Sequence, residues 1–320
     1  MNGQPHEDPR RRTRRLRLLL FAALLLALGG GGVFLLAHTV WSADGPATTR
    51  GVSASATSAT TSGPTTSATK APTPTTVALS AGTTTSTLPV RLPADAEALR
   101  VPILMYHYVD ATPPLGGPYA DGLTVRTPDF EAEMKYLADK GYHPVTLEQV
   151  YATMAGLATL PAKPIAITFD DGGLDDYTVA YPILRKHGFV ATFFVITGMV
   201  GKDGTMSWDQ LREMHENGMV LGSHTVKHPD LTTASDARLR TELVDSRAAI
   251  LKEVGVAPPV LCYPSGAHDA RVMSAARAAG YRVAVTTTFG KTLEPGSSLE
   301  WPRVRVSGHE PLDEFAGSLQ

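Results

Sequence analysis

The stretch Ile165-Ala166-Ile167-Thr168-Phe169-Asp170-Asp171-Gly172-Gly173 limits the folds open to this chain more than any other. An apolar run of strand type ends there in adjacent carboxylates and a glycine pair, so the strand delivers charge to its C-terminal rim. Neighbouring residues on a regular strand point to opposite faces. Both carboxylates can therefore serve one site only where the chain turns at the Asp-Asp-Gly-Gly step, a turn that Gly172 and Gly173 permit. Two carboxylates side by side at low dielectric repel each other, and a divalent cation is one of the few partners that makes the pair cheap to keep.

Neutral nitrogen donors for such a cation lie downstream. His224 and His228 stand in Gly222-Ser223-His224-Thr225-Val226-Lys227-His228-Pro229, just after the short apolar run Met219-Val220-Leu221. A spacing of four would align both imidazoles on one helix face, but Pro229 disfavours helix, so the segment reads as a turned loop following a strand. A further strand end comes at Val260-Leu261-Cys262-Tyr263-Pro264-Ser265-Gly266. Polar clusters at successive strand ends, with helical patterns between them, are how a (β/α) barrel builds a site.

Thr168-Phe169-Asp170-Asp171 followed by His224-Thr225-Val226-Lys227-His228 resembles the polysaccharide deacetylases, the carbohydrate esterase family 4 or NodB homology domain, from about Val101 to Val306. The resemblance implies an α/β fold, an irregular TIM-like barrel of seven to eight strands. It also implies Asp171, His224 and His228 as ligands of one divalent metal, with a position left open as at catalytic Zn2+ sites; Co2+ or Ni2+ could substitute. Asp170 is implied as the general base toward water on that metal. The bland reading of the same residues is a turn-capping carboxylate pair and ordinary histidines.

The third motif departs from the commonest family pattern. Cys262 stands where an arginine would orient the base, and Ser265 where a tyrosine would be. The oxyanion donor at the latter position is a backbone N–H, which Ser265 still provides. Arg303 is the candidate for the missing arginine. It lies in Trp301-Pro302-Arg303-Val304-Arg305-Val306, a Pro-Arg step before a final strand that resembles the branch including the biofilm poly-N-acetylglucosamine deacetylases. That branch is circularly permuted and takes its general-acid histidine from the first strand, a position matched by His107 in Met105-Tyr106-His107-Tyr108. His309, after the last strand, is the rival. The bland alternatives are a surface salt bridge for Arg303 and a hydrogen-bonded core residue for His107. Cys262 has an apolar flank and no base partner, and reads as an inert buried thiol.

Expected function follows from the resemblance: a metal-dependent hydrolase removing N-acetyl groups from an extracellular N-acetylglucosamine-containing polysaccharide. The alternatives are an O-acetyl esterase on xylan or a wall polymer, and an inactive glycan-binding barrel. The expected partner is an acetylated polysaccharide or cell-wall glycan, met by a monomeric catalytic domain.

The two parts of the chain are unlike. Residues 1–90 carry 8 Lys+Arg and 3 Asp+Glu, whereas residues 91–320 carry 21 and 28, a net charge of −7. Such a surface disfavours polyanions, and no nucleic acid is expected. The single cysteine excludes an intramolecular disulfide. Arg10, Arg11, Arg12, Arg14, Arg15 and Arg17 precede a charge-free stretch from Leu18 to Ala37. Twenty helical residues span about 30 Å, the thickness of a bilayer core, and the basic cluster orients the remainder outward. Trp41 spoils a small-x-small cleavage site. The expected organisation is a cytoplasmic basic segment at 1–17, an uncleaved transmembrane signal-anchor at 18–40, a disordered linker rich in Ser, Thr, Pro and Ala at 41–90, and the catalytic domain at 91–320. The expected location is the cell membrane, single-pass, with the catalytic domain extracellular; secretion is the alternative.

Within the domain, expected strands are Val101 to Tyr108, His143 to Val145, the Asp-Asp strand, Val190 to Val195, Met219 to Leu221, Val260 to Cys262, Arg282 to Thr286 and Val304 to Val306. Helices are expected to start at Thr127-Pro128-Asp129, Thr146, Asp175, Ser207, Ser235 and Asp269. The one from Ser235 to Val254 shows Leu239, Leu243, Ala249 and Ile250 on one stripe.

Overall fold

A computed structural model of the chain describes residues 88–89, 91–110 and 120–320. The expected basic segment, the expected anchor and the linker as far as residue 87 lie outside the described residues. Among the described residues no helix is long and apolar enough to cross a membrane.

Seven parallel strands close into a barrel: β1 (Ile103–Tyr106), β2 (Pro164–Phe169), β3 (Thr192–Val195), β4 (Val220–Ser223), β5 (Val260–Cys262), β6 (Val283–Phe289) and β7 (Trp301–Arg305). Around the ring the order is β1-β7-β6-β5-β4-β3-β2, and β2 returns to β1 with Ile103 opposite Ala166 and Tyr106 opposite Phe169. The short strand His143–Pro144 pairs only with the start of β2 and stays outside the ring. The closed ring thus takes the lower of the two expected strand counts.

Alternation along these strands divides the core. Ile103, Ala166, Phe194, Val260, Cys262, Val283, Val285 and Trp301 form one buried cluster filling the barrel. Its floor is helix α2 (Leu147–Met154), whose Leu147, Val150, Tyr151 and Met154 join that cluster. The other parity of β1 and β2, including Leu104, Tyr106, Ile167 and Phe169, packs outward beneath helix α1 (Thr127–Asp139) through Phe130, Met134 and Leu137. Burying both faces explains why the strands read as nearly unbroken apolar runs.

The remaining α-helices of five residues or more are α3 (Tyr181–Lys186), α4 (Trp208–Glu216), α5 (Asp236–Arg240), α6 (Ser246–Val254), α7 (Ala270–Ala279) and α8 (Leu312–Ser318). Helices α2 and α4 open with the expected caps: Thr146 and Gln149, and likewise Ser207 and Gln210, exchange side-chain and backbone hydrogen bonds. At α1 the cap is Arg126 rather than Thr127, without a side-chain bond, and Pro128 lies in the first turn. The helix expected over 235–254 is interrupted: a π turn, Thr241–Asp245, separates α5 from α6, and another, Asp176–Ala180, precedes α3. Leu239, Leu243 and Ile250 are buried as expected, whereas Ala249 is only half-buried. Helix α8 and the antiparallel pairing of Leu99–Arg100 with Thr292–Leu293 are too short to show a period in the sequence.

The described chain begins at the floor. Tyr151 on α2 donates its hydroxyl proton to the Pro89 carbonyl at 2.9 Å, and Leu88 and Leu92 pack against the cluster inside the barrel.

Candidate active site

Strand β2 carries its interior parity, Ala166 and Thr168, on to Asp170, which is 2 % exposed at the upper end of the barrel. The aromatic ring before it is clamped: Phe169 stacks on Phe193 at 4.8 Å and on Tyr106 at 5.2 Å. Beyond Asp170 the backbone turns through left-handed conformations at Asp171 (φ 76°) and Gly172 (φ 78°). The turn expected from the sequence is therefore made, but by Asp171 and Gly172, not by the glycine pair. Gly173 keeps an ordinary φ and is needed for space, since a Cβ there would collide with Asp175 Oδ1. The turn brings Asp171 to the same side as Asp170.

Asp171 faces both histidines. Its Oδ1 lies 3.5 Å from His224 Nε2 and 3.9 Å from His228 Nε2, and the donor atoms of the three residues all lie within 4.8 Å of one another. His224 Nδ1 is 2.8 Å from the Cys262 carbonyl. A carbonyl only accepts, so Nδ1 carries the hydrogen and Nε2 keeps its lone pair for a metal. Burial and the neighbouring His224 hold the His228 pKa below its ordinary value, which favours the neutral form a ligand needs. Oxygen, nitrogen and nitrogen converging on one point fit a divalent ion such as Zn2+.

Asp170 is held from the other side. Arg303, 1 % exposed, makes a fork of hydrogen bonds to it, Nη1 to Oδ1 at 2.8 Å and Nη2 to Oδ2 at 2.7 Å. The guanidinium also donates to the Thr286 carbonyl, to Thr168 Oγ1 and to Cys262 Sγ. Cys262 in turn donates its thiol proton to Asp170 Oδ2 at 3.4 Å. Burial alone would raise the Asp170 pKa, but the charge and hydrogen bonds of Arg303 outweigh it and hold the carboxyl well below the usual range. Burial pushes the Cys262 thiol far up, so it is a protonated donor, as its apolar flank suggested. Arg303 is buried and centred on Asp170, not a surface ion pair.

His107 joins the cluster, its Nε2 3.9 Å from Asp170 Oδ2. Burial lowers its pKa, against the opposing pull of Asp170 and Asp171. His309 is exposed and lines a separate cavity of about 650 Å3 with Phe289, Arg305 and Glu310; among the described residues it forms no ion pair with Asp170 or Asp171. Ser265 lies exposed on the same rim, three residues beyond Cys262, with left-handed backbone (φ 54°). Its carbonyl accepts from Thr287 Oγ1 at 3.3 Å.

Sequence reasoning missed Tyr108. Its hydroxyl donates to Asp171 Oδ2 at 3.0 Å, leaving Oδ1 toward the histidines. The available signal was its place just past His107 at the end of a buried strand, where parity alone sent it away from the site. Among the described residues, four of the five non-glycine residues with positive φ belong to this rim: Asp171, Thr225, His228 and Ser265. Such conformations persist only where surroundings over-determine them, and they gather at functional sites.

A closed parallel barrel carries at its C-terminal rim a carboxylate-and-two-imidazole donor set that could hold a divalent metal, beside a clamped second carboxylate, the arrangement of a hydrolytic site. The family model described as polysaccharide deacetylase matches residues 158–284, which include Asp170, Asp171, His224 and His228 but not His107 or Arg303. YxkH of Bacillus subtilis (strain 168), named for the same family, is 32% identical over 208 residues, covering 65% of this chain and 72% of its own. The poly-beta-1,6-N-acetyl-D-glucosamine N-deacetylase of Staphylococcus aureus (strain MRSA252) is 27% identical, over 58% of this chain and 68% of its own. Among solved structures, the Streptococcus pyogenes deacetylase PplD in complex with acetate is similar with a TM-score of 0.65 and 30% identity, covering 70% of this chain and all of that one. The chain belongs to the polysaccharide deacetylase family and is an enzyme of that class.

Proposed function

We propose that the enzyme removes N-acetyl groups from an extracellular N-acetylglucosamine-containing polysaccharide. The observation that carries this reading is the convergence of Asp171, His224 and His228 beside the clamped Asp170 and the neighbouring His107. The similarity to a poly-beta-1,6-N-acetyl-D-glucosamine N-deacetylase and to a deacetylase bound to acetate supports it. A divalent ion held by Asp171, His224 and His228, Zn2+ by its donor set and replaceable by Co2+ or Ni2+, would polarise the amide carbonyl and acidify water at the open position.

The chain's own groups supply the proton traffic. Asp170, kept anionic by Arg303, takes the proton of the attacking water through the Oδ1 lone pair that the fork and the Cys262 thiol leave free. His107 protonates the departing amine. Burial disfavours its charged form, and Asp170, 3.9 Å away, is the group placed to supply the proton during turnover. The Ser265 N–H contributes to holding the oxyanion. The N-terminal part is proposed to be a single-pass anchor and linker that keep the catalytic domain outside the cell, as a domain of residues 91–320.

Acetate release by the purified full chain from β-1,6-linked N-acetylglucosamine polymer, chitooligosaccharide, peptidoglycan and acetylxylan tests the reading. Release from an N-acetylated glycan, abolished by a chelator, is expected. Asp170→Asn is expected to keep its metal and lose about 10²–10⁴-fold in rate. His107→Ala should slow amide cleavage far more than cleavage of an activated aryl acetate, whose leaving group needs no proton, while His309→Ala should slow neither. Release from acetylxylan alone would make the enzyme an O-acetyl esterase, and metal-loaded protein inert on every glycan would leave a binding barrel.

A further inference from the structure

Between the two imidazoles the chain makes a tight loop, Thr225-Val226-Lys227, with left-handed backbone at Thr225 (φ 66°) and at His228 (φ 55°). A β-branched threonine and a bulky histidine avoid that region unless their surroundings hold them in it. A loop of this kind turns successive N–H groups to one side and makes a concavity that accepts an anion. Here the anion comes from the chain itself. Glu242, on the π turn between α5 and α6, is fully buried, and its Oε2 accepts from both Val226 N–H and Lys227 N–H at 2.8 Å. Its other oxygen faces the Arg238 guanidinium at 2.5 Å. One turn further along, Ser246 Oγ lies 2.7 Å from Ser223 Oγ, which accepts from Thr225 N–H at 3.2 Å. One helical segment therefore holds the histidine loop directly at two successive N–H groups, Val226 and Lys227, and reaches the third, Thr225, through Ser223 of β4.

None of the proposed catalytic steps uses Glu242, yet a buried carboxylate is costly to keep. We propose that Glu242 is a positioning residue for the metal ligands. By holding the Val226 and Lys227 amides it fixes the loop so that His224 Nε2 and His228 Nε2 already converge on Asp171 before a cation arrives. The decisive property is the reach of one oxygen to two amides, not the charge. This inference rests on the assignment of Asp171, His224 and His228 as ligands.

Zn2+ affinity of the purified full chain, measured by competition with a chelator, separates reach from charge. Glu242→Gln keeps an oxygen at the same distance and should bind Zn2+ like the parent. Glu242→Asp keeps the charge but is one methylene too short, and should bind about 10–100-fold more weakly, the range seen when outer-shell partners are lost. Glu242→Ala should weaken binding equally where it folds. Arg238→Ala removes the ion pair, leaves the amide bonds, and should keep the parent's affinity. Melting of each metal-free variant is followed in parallel, so that affinity is compared among folded proteins only. Parent-like affinity in folded Glu242→Asp, or a loss in Glu242→Gln matching that of Glu242→Asp, would overturn the proposal. A parent that binds no Zn2+, or a His228→Ala variant that binds it unchanged, would overturn the ligand assignment itself. Loss in His228→Ala with no loss in Glu242→Asp would overturn only the role of Glu242.

Discussion

Arg303 and Asp170 are a buried ion pair whose energetics follow from the absence of water around them. The fork makes the geometry good, but taking both charges out of water costs about as much as their attraction returns. The pair therefore adds little net stability, whereas half of it is worse than none. Arg303→Met should destabilise the fold by about 3–5 kcal/mol in urea unfolding, because Asp170 is left charged and unpaired. The double variant Asp170→Asn, Arg303→Met should recover much of that loss, since no buried charge remains. Equal destabilisation in the single and double variants would mean that Arg303 acts through packing. Both partners lie on the interior parity of their strands, which is why Arg303 could be proposed for Asp170 from a resemblance but not paired with it from local pattern: they meet 133 residues apart.

At the scale of elements, β2 is the one whose end must be rigid. Phe169 is held between Tyr106 and Phe193 and meets Phe130 edge-on at 5.9 Å, so rings from β1, β3 and α1 fix the residue before Asp170. Phe169→Ala should cost about 3–5 kcal/mol. It should also weaken Zn2+ binding, whereas Phe315→Ala, a comparable loss beneath α8, should leave binding intact. Equal binding in both would show that the stack serves the core alone. The strand itself and the two motifs that converge at its end, Asp170-Asp171 and His224 with His228, were legible because strand, turn and side chain are consecutive in sequence. Caps at Thr146, Ser207 and Asp269 were legible for the same reason. Closure of β2 onto β1, the donation from Tyr108 and the grip of Glu242 are contacts between distant elements. Glu242 lies three residues after Leu239 and so on the same helical face, and a glutamate aligned with that apolar residue was the signal that went unread.

For the whole molecule, pH acts through buried acids that take no part in the proposed chemistry. Burial is the main reason that Glu133, which accepts from the Tyr106 hydroxyl at 2.8 Å, is pushed up to about 8, with Glu310 and Asp129 adding to it against that hydrogen bond. Its folded pKa lies above its unfolded one, so the folded state holds an extra proton between about 4.5 and 8. Stability is thus greatest below that window and falls as pH rises through it, by up to about 1.4 kcal/mol per pH unit. Asp176, fully buried and with no side-chain partner for either carboxylate oxygen among the described residues, is raised by burial and by Asp175, Asp171 and Asp170, and contributes with the same sign. Melting temperatures measured in chelator should drop from pH 5 to pH 8, and Glu133→Gln should flatten the slope; an unchanged slope would remove Glu133 from the account. The barrel also has a direction. Its floor receives the incoming chain at Pro89, and its rim carries the chemistry at the other end. Any pull transmitted through residues before Pro89 acts on the closed end of the barrel, behind the reaction.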